Sequence, residues 1–275
     1  MTELPAVPAL PLDLAAPEVA LGALLLGGHL LGDFAFQTRW MVEGKPRPLP
    51  LFAHGLVVAL VHLGVLIPFF GLPVVLAAGG IGAVHAGIDL VKAGLRRRSA
   101  GSGAGTASGS GSAPLALFLV DQAAHLLVLA VAFVALRDHA WPLPLQVPAP
   151  WLGPWATAGL VAGAFAFAWH GGGALVSGVL ATLSPGLEEK EDASSGVEGS
   201  GRLIGKLERT IALVLILFGQ WAALVLLVAA KSIARFEELK ERRFAEYYLV
   251  GTLSSLLVAI VVGLALSFAL FGGMR

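Results

Sequence analysis

Cysteine is absent from the sequence and charged residues are scarce. Without cysteine the chain can form no disulfide, thiol nucleophile or thiolate metal site, so any metal has to be bound through His, Asp or Glu. Charged residues make up 13% of the 275 residues and apolar residues 57%, whereas an ordinary soluble domain has about 25% charged residues. This shortage of charge leaves too little polar surface for a soluble monomer and favours a membrane protein.

The charges that are present argue against a nucleic-acid partner. The formal net charge is zero, and Lys and Arg do not collect on one face. The N-terminal run MTELPAVPALPLDLAAPE has proline and acid where a signal peptide has a basic start and a short apolar core. We therefore expect the first apolar helix to be retained as a membrane span.

Several apolar stretches reach the length of about 20 residues that a helix needs to cross the bilayer hydrocarbon. The windows are 18–36, 52–70, 74–94, 115–136, 154–182, 208–230 and 246–271. They predict an all-α, polytopic membrane helix bundle of about seven transmembrane helices. The expected location is the inner (plasma) membrane, as a multi-pass protein whose main partner is the lipid bilayer. A homo-oligomer is left open.

Two polar stretches divide the chain. The tract SAGSGAGTASGSGSA (99–113) has no side chains to bury and is typical of a flexible linker, and 184–202 has the composition of an exposed loop. The predicted domains are a four-helix front unit, formed by 1–98 and 114–150, and a rear helical unit, 151–275.

The orientation of the rear unit is not settled by its charges. Lys and Arg follow the first span and end the third, which predicts that both loops are cytoplasmic. Seven crossings would leave 231–244 outside, whereas a re-entrant hairpin at 154–182 would move it inside. The number of Lys and Arg residues on the cytoplasmic side is the same in both cases. Ile233, Phe236 and Leu239 lie along one side of 231–244, which predicts a short interfacial helix there.

Ionisable residues inside the spans are the most informative feature, because such groups are costly in a bilayer unless they are paired or hydrated. Three His/Asp pairs have i,i+4 spacing, which places both side chains of a pair on one helix face. The pairs are His29 with Asp33, His85 with Asp89, and Asp121 with His125. They lie late in odd-numbered spans or early in even-numbered ones, as does His54. Because alternate spans run in opposite directions, we expect all seven groups at one membrane level.

Neutral imidazole and carboxylate are suitable ligands for zinc, manganese or iron, and helix bundles build metal sites from inward-facing pairs of this kind. The sequence therefore predicts a divalent metal site, with zinc favoured and manganese or iron as alternatives. The predicted ligands are His29, Asp33, His85, Asp89, Asp121 and His125, with His54 as a ligand or general base and Asp121 as a second catalytic candidate. The alternative is that these groups are hydrogen-bonding contacts between helices, without metal.

The motifs resemble a known family. HLLGDFAFQTRWM (29–41), the span containing His54 and His62, HAGIDLVK (85–92) and DQAAH (121–125) are similar to bacterial membrane proteins grouped as a domain of unknown function, whose members begin HxxGDxxxQxxWM. LERTIALVLILFGQW and AAKSIARFEELKERRFAEYYLVGTLSS resemble its longer members. The resemblance implies a multi-span membrane protein but no activity. It picks out His29, Asp33, Gln37, Trp40, Met41, Lys45, His54, His85 and Asp89.

Three functions are compatible with this pattern. The leading hypothesis is a metal-dependent hydrolase that acts within the membrane on a lipid or lipid-linked substrate, because a metal with an open position can activate water. The second is a transporter or channel in which the same groups bind a cation or relay protons. The third is a structural membrane subunit without catalysis. The sequence does not decide whether the protein is an enzyme.

Overall fold

The computed structural model describes residues 11–44, 47–101, 113–138, 149–183 and 200–273. Within these ranges the chain is all-helical and contains no strand, which confirms the predicted fold class. Lys45 and most of the predicted linker and loop, 99–113 and 184–202, lie outside the described residues. The helices are α1 (Pro17–Phe34), α2 (Arg39–Gly44), α3 (Pro48–Val65), α4 (Leu72–Gly101), α5 (Ala113–Leu136), α6 (Ala149–Ala166), α7 (Gly172–Leu183), α8 (Ser200–Leu217), α9 (Trp221–Ala234) and α10 (Arg242–Phe271).

Five helical segments among the described residues are long and apolar enough to cross a membrane, rather than the seven predicted. They are Pro48–Val65, Leu72–Arg96, Leu115–Leu136, Pro150–Leu183 and Arg242–Phe271. Helix α1 has 18 residues and starts with Pro17 in its first turn, a position that tolerates the missing N–H. Helix α1 is not among the five candidate spans, because Glu18, His29 and Asp33 lower its mean hydropathy.

The front helices run alternately up and down, and we call the end at which α1 and α4 finish the site end. Buried leucine, valine and isoleucine side chains fill the opposite half of this unit, including Leu21, Leu24 and Leu66. Large apolar side chains such as Phe52, Leu72 and Val225 point outward instead. An apolar exterior of this extent is expected of a surface that faces lipid.

The rear unit joins the front unit through α1 and α6, which run side by side in the same direction. A Cβ on Gly163 would lie 3.0 Å from Gly27 Cα, so the two backbones touch where neither helix has a side chain. Further along, the rings of Phe34 and Phe167 meet at 5.2 Å. A π turn, Phe167–Gly171, connects α6 to α7 without a reversal. The predicted segment 154–182 is therefore a continuous helix and not a re-entrant hairpin.

The reversal occurs instead inside the predicted span 208–230. Gly219 has φ of 66°, and the N–H of Gln220 donates to Leu215 O at 2.8 Å, which is the hydrogen bond of a glycine-terminated helix end. Lys231 then pairs with Glu208 across the turn at 2.6 Å, so α8 and α9 form an antiparallel hairpin. With 14 residues, α9 is only about 21 Å long, shorter than the hydrocarbon thickness of about 30 Å.

The segment 231–244 also differs from the prediction of a single interfacial helix. It contains the end of α9, a turn, a short 3₁₀ helix (Glu238–Lys240) and the start of α10. The helix is interrupted because Glu241 adopts an extended backbone, with φ −79° and ψ 116°, at the N-cap of α10. The hairpin returns this basic segment to the site end of the molecule.

Candidate metal centre

Helices α3 and α4 approach each other through two glycines. A Cβ on Gly55 would lie 2.8 Å from Gly82 O, and a Cβ on Gly82 would overlap Gly55 O. Only glycine permits this separation, because real Cβ contacts are not that short. His54 is adjacent to Gly55, and His85 follows Gly82 by about one helical turn. The glycine contact therefore brings the two imidazoles together, with their Nε2 atoms 2.9 Å apart.

Two carboxylates border this imidazole pair. Asp33 Oδ1, from the end of α1, lies 3.0 Å from His85 Nε2 and 3.3 Å from His54 Nε2. Asp89 Oδ2, one turn beyond His85, lies 3.8 Å from His85 Nε2 and 3.6 Å from His54 Nε2. His54, His85 and Asp89 are buried, with neither imidazole residue more than 2% exposed, and the side chain of Asp33 is 9% exposed. Three of the four groups at the centre, Asp33, His85 and Asp89, thus come from the predicted pairs. The fourth is His54.

These separations suit ligands of one small metal ion. Ligand atoms around a tetrahedral zinc ion with bonds of about 2.0–2.1 Å are roughly 3.3 Å apart, and the five distances above run from 2.9 to 3.8 Å. Two sets of ligand atoms, each within 4.8 Å of one another, share His85: His29, Asp33 and His85, and His54, His85 and Asp89. The described residues could therefore hold one ion or two.

His29 and His125 lie beside the centre. His29 Nδ1 is 3.9 Å from Asp33 Oδ2, and the His125 ring lies 4.0 Å from that of His85 and 5.4 Å from that of His29. His125 Nδ1 donates to Asp121 O at 2.8 Å, which leaves Nε2 as the unprotonated nitrogen. Within the described part of the chain, Nε2 of both residues is buried and has no hydrogen-bond partner.

Asp121 takes a different position from the one predicted. Its Oδ2 accepts from Lys92 Nζ at 2.5 Å, and its Oδ1 is 4.0 Å from His125 Nδ1. Among the described residues it makes no ion-pair contact with His54 or His85. Asp121 belongs to an ion pair that joins α4 to α5, because Lys92 follows Asp89 by three residues and shares its helix face.

Gln37 is a site residue to which sequence reasoning gave no role. Its side-chain amide lies 2.8 Å from His54 Nε2, so the amide N–H donates to the imidazole lone pair that faces the centre. The only signal for it was its place in the HxxGDxxxQxxWM resemblance. Met41 of the same motif is buried, whereas Trp40 is 50% exposed. His62 stays apart and donates from Nδ1 to Val58 O at 2.8 Å.

The part of the chain that contains the candidate centre is similar to one known family. Residues 21–148 match the model of a family described as "Protein of unknown function (DUF3307)". This range is similar to an uncharacterised family and includes every predicted ligand, but it excludes the rear stretches for which a resemblance was also expected. No curated protein and no solved structure matches the chain.

Proposed function

We propose that this chain is a multi-pass membrane protein in which Asp33, His54, His85 and Asp89 hold a divalent metal ion, with zinc favoured. The supporting observation is the close approach of two imidazole nitrogens and two carboxylates from three helices at a buried point. Buried carboxylates are costly without compensating positive charge. In the described residues the ion-pair contacts of Asp33 are all with imidazoles, and neutral imidazoles do not supply that charge.

The site end is proposed to face the cytoplasm. Arg39, Arg47 and Arg96 lie there, and the hairpin of α8 and α9 returns the basic residues of 231–244 to the same end. Cytoplasmic loops carry the excess of Lys and Arg in membrane proteins. The metal centre then lies in the cytoplasmic half of the membrane, within reach of lipid.

The chemistry that we propose is hydrolysis of a lipid or lipid-linked substrate. A metal with a position open to water lowers the pKa of that water and supplies hydroxide near neutral pH. His54 would act as a ligand through the Nε2 lone pair that points into the centre. This lone pair accepts the Gln37 N–H in the structure, so Gln37 would have to give up that hydrogen bond when a metal is bound. His125 replaces His54 as the proposed general base, since its Nε2 is an acceptor beside His85.

Proton relay in a transporter is a second candidate, and one observation favours it. The four rings of His29, His125, His85 and His54 form a continuous series with centroids 4.0 to 5.4 Å apart. Buried histidine series of this type carry protons in membrane transporters. A relay predicts proton flux into liposomes without a tightly held metal, whereas a metalloenzyme predicts retained metal without flux.

Elemental analysis of the full chain purified in detergent tests the proposal. The wild-type protein is expected to retain near-stoichiometric metal and His54→Asn to lose it. His62→Asn is the matched control, because His62 lies on the same helix and is equally buried but is not among the ligand groups. Wild-type protein without metal, when purified with zinc, manganese and iron supplied in turn, would refute the metal centre. Equal metal content in all three proteins would refute the role of His54.

A further inference from the structure

A second site lies in the rear unit, at the same end of the molecule. A cavity of about 630 Å³ opens between α7, α8, α9 and α10. Its lining includes apolar side chains, among them Val176, Leu180 and Leu227, together with charged and hydroxyl side chains. A cavity with both apolar and polar lining suits an amphiphile better than a wholly polar solute. It lies outside the range that matches the family model.

Cations dominate the polar part of the lining. Among the described residues that line the cavity, five are Lys or Arg and one is acidic: Arg202, Lys206, Arg209, Lys231 and Arg235, with Glu208. The first three follow each other at spacings of four and three on α8, which places like charges on one helix face and destabilises the helix in the absence of an anion. Glu208 is already paired with Lys231 at 2.6 Å, so it is not an ion-pair partner of Lys206 or Arg209.

Arg209 is the strongest sign of a missing anion. Its residue is 4% exposed, and its Nε donates to Ala168 O at 2.9 Å and its Nη1 to Ser255 Oγ at 3.3 Å. Both acceptors are neutral, and Arg209 forms no ion pair within the described ranges. Lys206, one turn away, contacts the Trp169 ring at 5.8 Å and likewise pairs with no described carboxylate. An uncompensated guanidinium in a buried site is costly.

Two buried hydroxyl groups also belong to the polar part of the lining. Tyr248 and Thr252, at i,i+4 spacing on α10, are 5% and 8% exposed. Both line the cavity, and their hydroxyl oxygens are buried without a hydrogen-bond partner in the described part of the chain. Buried hydroxyls are normally hydrogen-bonded. Hydroxyl donors beside a guanidinium and an ammonium are the groups that bind phosphate oxygens.

We propose that this cavity binds the phosphate group of an anionic amphiphile. The phosphate faces Lys206 and Arg209 together with the hydroxyls of Tyr248 and Thr252, and the hydrocarbon lies along Val176, Leu180 and Leu227. Arginine and lysine both suit this ligand, the first by its forked donors and the second as a point charge. The site needs no metal, so it stands or falls independently of the centre formed by α1, α3 and α4.

The test measures ligand binding to the full chain in a non-ionic detergent by native mass spectrometry. The probes are short-chain phosphatidic acid, short-chain phosphatidylcholine and inorganic phosphate. Lys206→Gln and Arg209→Gln remove the two uncompensated charges. Arg39→Gln is the control, because Arg39 lies at the same end with its side chain 96% exposed and outside the cavity. Lys206 is only partly buried, so its substitution is informative even where Arg209→Gln does not fold.

Saturable binding of phosphatidic acid to the wild-type chain is expected, with binding to Lys206→Gln weakened about tenfold or more and binding to Arg39→Gln unchanged. Competition by inorganic phosphate would show that the phosphate group alone is recognised, and retention of the lipid against phosphate would show that the whole amphiphile is. Equal binding of phosphatidylcholine and phosphatidic acid would overturn the proposal. An equal loss in Lys206→Gln and Arg39→Gln would overturn it too, because general attraction to anionic lipid then suffices.

Discussion

Replacing Gly82 with alanine should weaken metal binding at the proposed centre without changing any of its ligand residues. A Cβ at this position would overlap Gly55 O and lie 2.8 Å from Ala59 Cβ, whereas ordinary contact begins at 3.4 Å. Helices α3 and α4 must therefore separate by at least about 0.6 Å, which exceeds the tolerance of about 0.5 Å for a preorganised site. His54 and His85 flank the contact, so their nitrogens move apart with the helices.

The expected loss of metal-binding free energy can be estimated as the contribution of one ligand. Structural zinc binding of about 10–16 kcal/mol, shared among four ligands, gives about 3–4 kcal/mol for each. Loss of one ligand then lowers metal affinity by two to three orders of magnitude. Competition with a chelator of known affinity, followed by elemental analysis of the protein fraction, measures this change.

The control for Gly82→Ala is Gly79→Ala in the same helix. A Cβ on Gly79 would meet nothing within 4 Å, so this variant has the same change in composition and helix propensity without the helix displacement. Its metal affinity should equal that of the wild type. If Gly82→Ala also retains wild-type affinity while the wild type binds metal, the glycine contact does not set the distance between the two imidazoles, and the reasoning fails.

Two further predictions follow from the ion pair and the hairpin. Lys92→Met should destabilise the protein by about 3–5 kcal/mol, because it leaves the buried Asp121 carboxylate uncompensated. The double variant Lys92→Met with Asp121→Leu should recover most of this loss, as measured by thermal denaturation. A Lys92→Met variant as stable as the wild type would contradict a stabilising ion pair. Because the chain lacks cysteine, single-cysteine variants can be labelled selectively from one side of the membrane. Arg39→Cys and Glu237→Cys should react from the same side and Asp138→Cys from the opposite side. Reaction of Glu237→Cys from the side of Asp138→Cys would show that 208–230 crosses the membrane as a single span, against the hairpin.

The centre could be predicted in part because helix periodicity is local. His85 and Asp89 share a helix face by spacing alone, and the alternating direction of the front helices places His54 at their level. The partner of Asp121 could not be read in this way. It depends on Lys92 reaching across from α4, and the sequence gives no distance between two helix faces. Gln37 follows the end of α1, where no periodicity constrains the direction of a side chain.

The rear unit shows why apolar windows overcount spans. The run of apolar residues through 208–230 has the composition of one crossing, and Gly219 alone does not mark a reversal, since glycine is common in membrane helices. What distinguishes the hairpin is the pairing of Glu208 with Lys231 across the turn, a long-range contact. Arg209 faces the cavity because of the same hairpin, so neither the turn nor the cavity could be predicted from the sequence.

The π turn between α6 and α7 is the structural link between the two sites. Phe167 packs on Phe34, the neighbour of Asp33, while Ala168 O receives the hydrogen bond from Arg209. A π turn shifts the regular helical hydrogen bonds and makes a carbonyl available to a side chain. A neutral carbonyl orients the guanidinium without neutralising its charge, so Arg209 stays available to an anion. The segment that orients this cation thus also packs against helix α1, which carries Asp33 of the proposed metal centre. A phosphate-bearing lipid bound in the cavity would lie beside the same segment.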